Sequence, residues 1–516
     1  MPAGPVISRR RLLGGSAATG AVLAADGLLA SAPLAARAGA LTAKPALSSL
    51  ITADPYLHLA RRATYGITPW LHHQIRSMGM RTWIEQQLDP SSIDDSRCES
   101  YLRRYPLLGL GPSELRGRVS VGSYAQMNQM QAAYFVRSVW SQRQLYEMMV
   151  EFWWNHFNIG LPDSDVWDLC GSFDDTIRSH ALGRFDEMLL AVAENPAMLV
   201  RLNQNLSVGS NPNENYGREM LELHTVGVDA GYTQHDVHDA SLLLTGWGVN
   251  HDRTAMAYTP SHHHVGPLQV MGFKTANGSA TGGASLVRSY LHYLAHHPAT
   301  ASHLARELAV RFVSDSPPRT LVDRLAKTYL AHGTAISPVV LELLTSSEFE
   351  ESVGKKVRRP IEAMAASFRV LDYALKNAGT GDIADVVFAL GIMGQVPLGW
   401  PQPNGYPDTA PAWMSASGKQ SEWGIHLRLT GGWWTKTFTF PGMAALLGHP
   451  SPSTSSGEFV DKVTERLLFQ KVLPAHKSVL LGFLGRSAGE PIGTSGIAGL
   501  PMFAKLVLDS PYFAVR

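Results

Sequence analysis

The chain has 516 residues, a formal charge of +1 and 45% hydrophobic residues, which is ample for a large core. Near-neutrality, with no basic stripe carrying interleaved aromatics, gives no support for a nucleic-acid-binding protein. Two cysteines, Cys98 and Cys170, are too few for a disulfide scaffold and leave open one bond or two buried thiols.

The first predicted element is an export signal. Ser8-Arg9-Arg10-Arg11-Leu12-Leu13 opens an Ala/Leu-rich segment that ends near Ala36-Arg37-Ala38. A charged start, an apolar middle and a small-x-small end make a secretory signal, and the adjacent arginines point to the twin-arginine translocase. Asp26 and the glycines within the apolar segment argue against a retained span. The expectation is a cleaved signal over residues 1–38 and a protein with no membrane span after cleavage. Cleavage removes four arginines and Asp26, leaving a formal charge of −2.

Helical periodicity dominates the rest. Residues 55–88 hold two amphipathic segments. Residues 124–157 contain neither Pro nor Gly, and residues 182–202 form another helical segment interrupted at Asn195-Pro196. Residues 215–226, 235–245, 299–313 and 360–377 continue the pattern. Short strand patterns occur only near residues 247–250 and 270–273, compatible with one small hairpin. The prediction is an all-α fold, one large multi-helix globular domain over residues 39–516 with long loops. Asn377-Ala378-Gly379-Thr380-Gly381-Asp382 is a possible subdivision point.

The strongest chemical pattern is Asn213-Glu214-Asn215-Tyr216-Gly217-Arg218-Glu219-Met220-Leu221-Glu222-Leu223-His224. On a helix it sets Asn215, Glu219 and Glu222 on one face, beside an apolar stripe of Tyr216, Met220 and Leu223. Carboxylates three residues apart repel one another, so one tends to hold a proton, which suits acid/base work or metal binding. The structural alternative is a solvated face with an Arg218–Glu222 pair. Thr233 then opens a second helix, with Asp236 in a capping-box position and His235 and His238 on one face. Joined to the Glu helix by a short turn, His235 and His238 are candidate ligands of a divalent transition metal. Glu151-Phe152-Trp153-Trp154-Asn155-His156 places His156 among aromatic and amide neighbours near a helix end, as a base, a ligand or a satisfied core residue. The run His262-His263-His264 lies in a Gly-rich loop without partners at fixed spacing. No nucleophile elbow, phosphate-binding loop or dinucleotide fingerprint is present.

Several blocks recur in an order that resembles the bacterial domain-of-unknown-function family numbered 1800. They are His58-Leu59-Ala60-Arg61-Arg62-Ala63-Thr64-Tyr65-Gly66, residues 152–157, 213–227 and 231–236, Leu244-Thr245-Gly246-Trp247, Arg311-Phe312-Val313-Ser314, Lys356-Val357-Arg358-Arg359-Pro360 and Pro403-Asn404-Gly405-Tyr406-Pro407. The resemblance implies an exported protein, often encoded beside an exported sulfatase-like protein, and no established activity or cofactor. Where members carry an Asp and a Lys before a Gly, this chain has His264 and Leu268. Any role needing that acid or amine is in doubt here, or has moved to His264.

The leading functional expectation is a hydrolase acting on extracellular polymer, in its most concrete form a glycan. Glu219, Glu222 and His156 are the catalytic candidates, and Asn155, Asn215, Arg218, Trp153, Trp247 and Trp400 the substrate-binding ones. A metal-dependent oxidoreductase is the first alternative. The second is a non-catalytic assembly partner of the co-exported sulfatase-like protein.

Overall fold

The computed structural model describes residues 47–376 and 383–516; the signal segment and the proposed boundary at 377–382 lie outside the described residues. The architecture is all-α, with three two-stranded antiparallel sheets as the only sheets among the described residues. None of the described helices is long and apolar enough to cross a membrane. Residues Leu47–Arg516 form one compact unit.

The unbroken pattern over 124–157 divides into two helices, Ala125–Trp140 and Gln144–His156. No Pro or Gly makes the break; side-chain hydrogen bonds do. Asp95 accepts from the Ser141 hydroxyl at 2.8 Å and the Gln142 backbone N–H at 2.7 Å, while the Gln144 amide donates to the Ser138 and Ser141 carbonyls. These satisfy chain ends that a continuous helix would have paired internally. The interruption at Asn195-Pro196 is where the spacing places it: Phe185–Ala193 ends, and the Asn195 side chain caps Pro196–Arg201.

The two short strand patterns do not pair with each other. Trp247–Val249 pairs with Met256–Tyr258, and Leu268–Val270 turns back on Phe273–Thr275 through Met271 and Gly272, both at positive φ. A two-residue turn of that kind closes a local hairpin at little entropic cost, which a longer-range pairing must meet in full. The third sheet, Ala374–Leu375 with Phe438–Thr439, is too short to leave a sequence pattern.

The helices Glu214–Glu222 and Gln234–Leu243 pack as neighbours. Gly217 allows the contact, since a Cβ there would sit 2.9 Å from the Ser241 backbone nitrogen. The reciprocal Thr233/Asp236 capping box forms as its spacing predicts. Cys98 and Cys170 are both buried free thiols, and burial pushes their pKa values up.

At the centre of the unit is a buried ionic network. Glu151 accepts from Arg359 at 2.8 and 2.6 Å and from Arg311 at 2.9 Å. Glu362 pairs with Arg311 at 2.6 Å, Arg359 at 3.1 Å and Arg516 at 3.2 Å, and Asp408 lies 3.5 Å from Arg311. The network joins the helices Gln144–His156, Pro298–Phe312 and Pro360–Val370 to the loop carrying Asp408. Buried charges are tolerated only when paired and hydrogen-bonded, so the network holds these three helices in one relative position.

Candidate functional site

A cavity of about 290 Å³ opens beside this network, lined by His156, His303, Arg306, Glu307 and Asp408 among others. The helix Pro298–Phe312 buries Ala301, Leu304, Ala305 and Leu308 on one stripe. The next stripe carries His303, Glu307 and Arg311 at four-residue spacing, so Arg311 is anchored in the network while the other two reach the cavity. The helix Gln144–His156 does the same with Glu151 in the network and Asn155 and His156 at the wall.

His156 Nδ1 lies 2.8 Å from a Glu307 carboxylate oxygen, and His303 Nε2 lies 3.6 Å from the other. The three ligand-capable atoms fall within 4.8 Å of one another. His156 Nε2 is 3.2 Å from the His224 carbonyl, and Leu223 shares the cavity wall with His303. Leu223 and His224 follow the last residue of the Glu214–Glu222 helix, where carbonyls lack intrahelical partners. This turn therefore orients His156 toward Glu307. Gly227, at φ +88°, lets His303 approach: a Cβ there would be 2.7 Å from its Nδ1.

Burial alone would raise the Glu307 pKa, but the adjacent His156 and His303 rings together hold its carboxyl below the usual range. Burial lowers His303, partly opposed by Glu307. Burial and the neighbouring His156 bring His224 down to about 3. His303 Nε2 and His224 Nδ1 have no hydrogen-bond partner in the structure. Asp408 is opposed in the same way: burial would raise it, and Arg311, Arg359 and Lys356 hold it low.

Of the residues singled out in the sequence, His156 and Asn155 reach this cavity. Asn155 clamps the opposite wall, donating to the Tyr406 carbonyl at 2.8 Å and accepting from its N–H at 2.6 Å. Gly405 passes so close that a Cβ would lie 2.1 Å from the Asn155 carbonyl oxygen. Trp400 is half-buried nearby, its indole donating to Asn404 at 2.9 Å and its ring 5.0 Å from Tyr406.

The remaining candidates sit elsewhere. Glu219 and Glu222 are half-buried, and their helix contributes Leu223 to the cavity wall instead. Burial, and then the charge of Glu222, raises the Glu219 pKa, while Glu222 accepts from the Tyr232 hydroxyl at 2.7 Å. Arg218 donates to Gln234 rather than pairing with Glu222, and Asn215 is exposed. His235 and His238 do not meet the Glu219/Glu222 pair: His235 is exposed beside Asp239, and His238 contacts Glu214 at 3.0 Å. Neither belongs to a three-ligand cluster among the described residues. Trp153 and Trp247 are fully buried, so neither offers a face to a substrate; Trp153 instead donates to the Ala181 carbonyl. In the histidine run, His263 is buried with both ring nitrogens committed, to the Thr245 carbonyl and to Asn277.

His303 and Glu307 were missed as site residues. Their signal was the His-x-x-x-Glu-x-x-x-Arg stripe on one helix, a polar row too common on solvated helices to stand out.

Comparison with curated proteins and with solved structures gives no match. The family model described as "Protein of unknown function (DUF1800)" matches residues 58–515, so the chain belongs to that family.

Proposed function

We propose that the cavity is the centre of an exported, metal-dependent hydrolase, with His156, His303 and Glu307 as ligands of one divalent transition ion. The observation that carries the reading is the convergence of two histidines on one carboxylate: His156 and His303 each face Glu307 with a ring nitrogen, and the other nitrogen of His156 meets the His224 carbonyl. Metal-bound histidines typically donate their other N–H to a carbonyl in this manner. Two histidines and one carboxylate leave coordination positions for water and substrate, and a bound ion supplies an activated water near neutral pH. A cavity of about 290 Å³ beside Trp400 suits a sugar-sized unit of an extracellular polymer. The paired arginines at Arg9-Arg10 support export by the twin-arginine route.

The same donor set also serves non-haem iron, which makes a metal-dependent oxidoreductase the second reading. The test is elemental analysis of untagged protein recovered from the export compartment, beside His303→Ala and Glu307→Gln. One equivalent of metal that both variants lose supports the site, and zinc or iron separates hydrolysis from redox chemistry. Metal-free parent protein that also fails to take up zinc or iron on reconstitution refutes it.

A further inference from the structure

A second cavity, of about 480 Å³, shares no lining residue with the first. Three arginines line it, Arg97, Arg369 and Arg466, together with the exposed Trp70. Arg369 is only 7% exposed. Its Nε donates to the Gly66 carbonyl at 2.7 Å and one terminal nitrogen to the Val139 carbonyl at 2.6 Å. Arg466 donates to the Val370 carbonyl, and Arg97 to the Tyr101 hydroxyl. None of the three forms an ion pair with a carboxylate among the described residues. Burial lowers the pKa of Arg369 to about 10 with no acid to offset it, and lowers Arg466, opposed by Asp372. Buried arginines such as Arg311 and Arg359 are matched by carboxylates, whereas Arg369, like Arg62 and Arg358, has backbone carbonyls as its acceptors and keeps its charge uncompensated.

Two further features act in the same direction. Thr68, Pro69 and Trp70 on the wall are the N-terminus of the ten-residue helix Pro69–Met78, which has no acidic residue in its first turn. Pro69 has no N–H and the Thr68 hydroxyl caps the Leu71 N–H at 3.1 Å, so what this terminus adds is chiefly the partial positive charge of the helix dipole. The one acid on the wall, Asp372, stands at φ +55°, just beyond the helix that carries Arg369. Three guanidiniums against one carboxylate leave a formal +2 at this cavity.

We infer that this cavity is a binding site for a phosphate-type dianion carried on a small molecule, held between Arg97, Arg369 and Arg466 with an attached ring against Trp70. The charge balance selects a dianion over a monocarboxylate, and the fork geometry of arginine suits tetrahedral oxyanions. The site is independent of the metal centre.

Isothermal titration calorimetry with inorganic phosphate and with phenyl phosphate tests it, using the parent protein, Arg97→Ala, Trp70→Ala and Glu307→Gln. Arg97 and Trp70 are both exposed, so these variants keep the fold. Saturable 1:1 binding is expected, weakened about tenfold or more by Arg97→Ala. Trp70→Ala should weaken phenyl phosphate more than inorganic phosphate. Glu307→Gln should leave both unchanged, which keeps the result separate from the fate of the metal proposal. Preference for phenyl phosphate over inorganic phosphate is expected, and equal binding of the two overturns the placement of an attached ring against Trp70. Absence of saturable binding of either, or affinity indifferent to Arg97→Ala, overturns the inference.

Discussion

Replacing Glu362 by Gln tests whether the buried ionic network holds the site together. Glu362 is 1% exposed and pairs with Arg311, Arg359 and Arg516, while its carboxylate also accepts from the Arg359 backbone N–H at 2.9 Å. Three arginines are balanced by Glu151, Glu362 and Asp408; the substitution leaves three cations against two anions in a buried space. Breaking one partner of a buried ionic cluster costs about 3 to 5 kcal/mol. For a unit of this length the unfolding entropy is about 1 kcal/mol per kelvin, so the melting temperature should fall by about 3 to 5 °C. The pH profile gives a second readout. Burial would raise the Glu362 pKa, but Arg516, Arg359 and Arg311 hold it well below its ordinary value of 4.5. A depressed folded value means that its contribution is fully present above about pH 4.5 and is lost as the pH falls toward the folded value. Chemical denaturation between pH 7 and pH 3 should show parent stability falling on acidification, and a shallower fall in Glu362→Gln. Adding Arg516→Met should recover part of the loss, because it removes the surplus cation. A Glu362→Gln protein within about 1 kcal/mol of the parent at pH 7, with the same acid profile, would refute this account of the network.

Two other substitutions probe the walls of the site. Gly405→Ala should destabilise by about 3 kcal/mol, because it combines positive φ with a Cβ driven into the Asn155 carbonyl; urea denaturation measures it, and a neutral result would mean that the wall yields. Glu219→Gln should leave the protein as stable as the parent or more so at pH 7. Burial and the Glu222 charge raise the Glu219 pKa, so its ionisation opposes the folded state at neutral pH and ceases to do so in acid. Thermal melts at pH 7 and pH 4 check this, and a sharp loss at pH 7 would instead show Glu219 to be a structural anion.

The architecture was legible because helices announce themselves locally. A stripe such as Ala301, Leu304, Ala305 and Leu308 repeats at helical spacing, and Thr233 with Asp236 marks a helix start within four residues. The break at Ser141–Arg143 was not legible, because Asp95 makes it from 46 or more residues away. The aromatic and amide surroundings of His156 single it out in the sequence, and the structure sets it against Glu307 rather than against Glu219 or Glu222. Glu219, Glu222, His235 and His238 share neighbouring segments and carry the right chemistry, yet helix packing sends His238 to Glu214 and leaves His235 exposed.

By itself the sequence determined the all-α class, most of the helix positions and the capping box at Thr233. These depend on periodicity and side-chain chemistry over a few residues, where the backbone's own geometry does the selecting. Only the tertiary structure decided which acid meets His156. Glu307 is 151 positions away and reaches it because Arg311, one turn further along the same helix, is locked to Glu151 on the helix of His156. A pairing set by a buried ionic contact between distant helices leaves no periodic trace in either one, so no reading of local pattern recovers it.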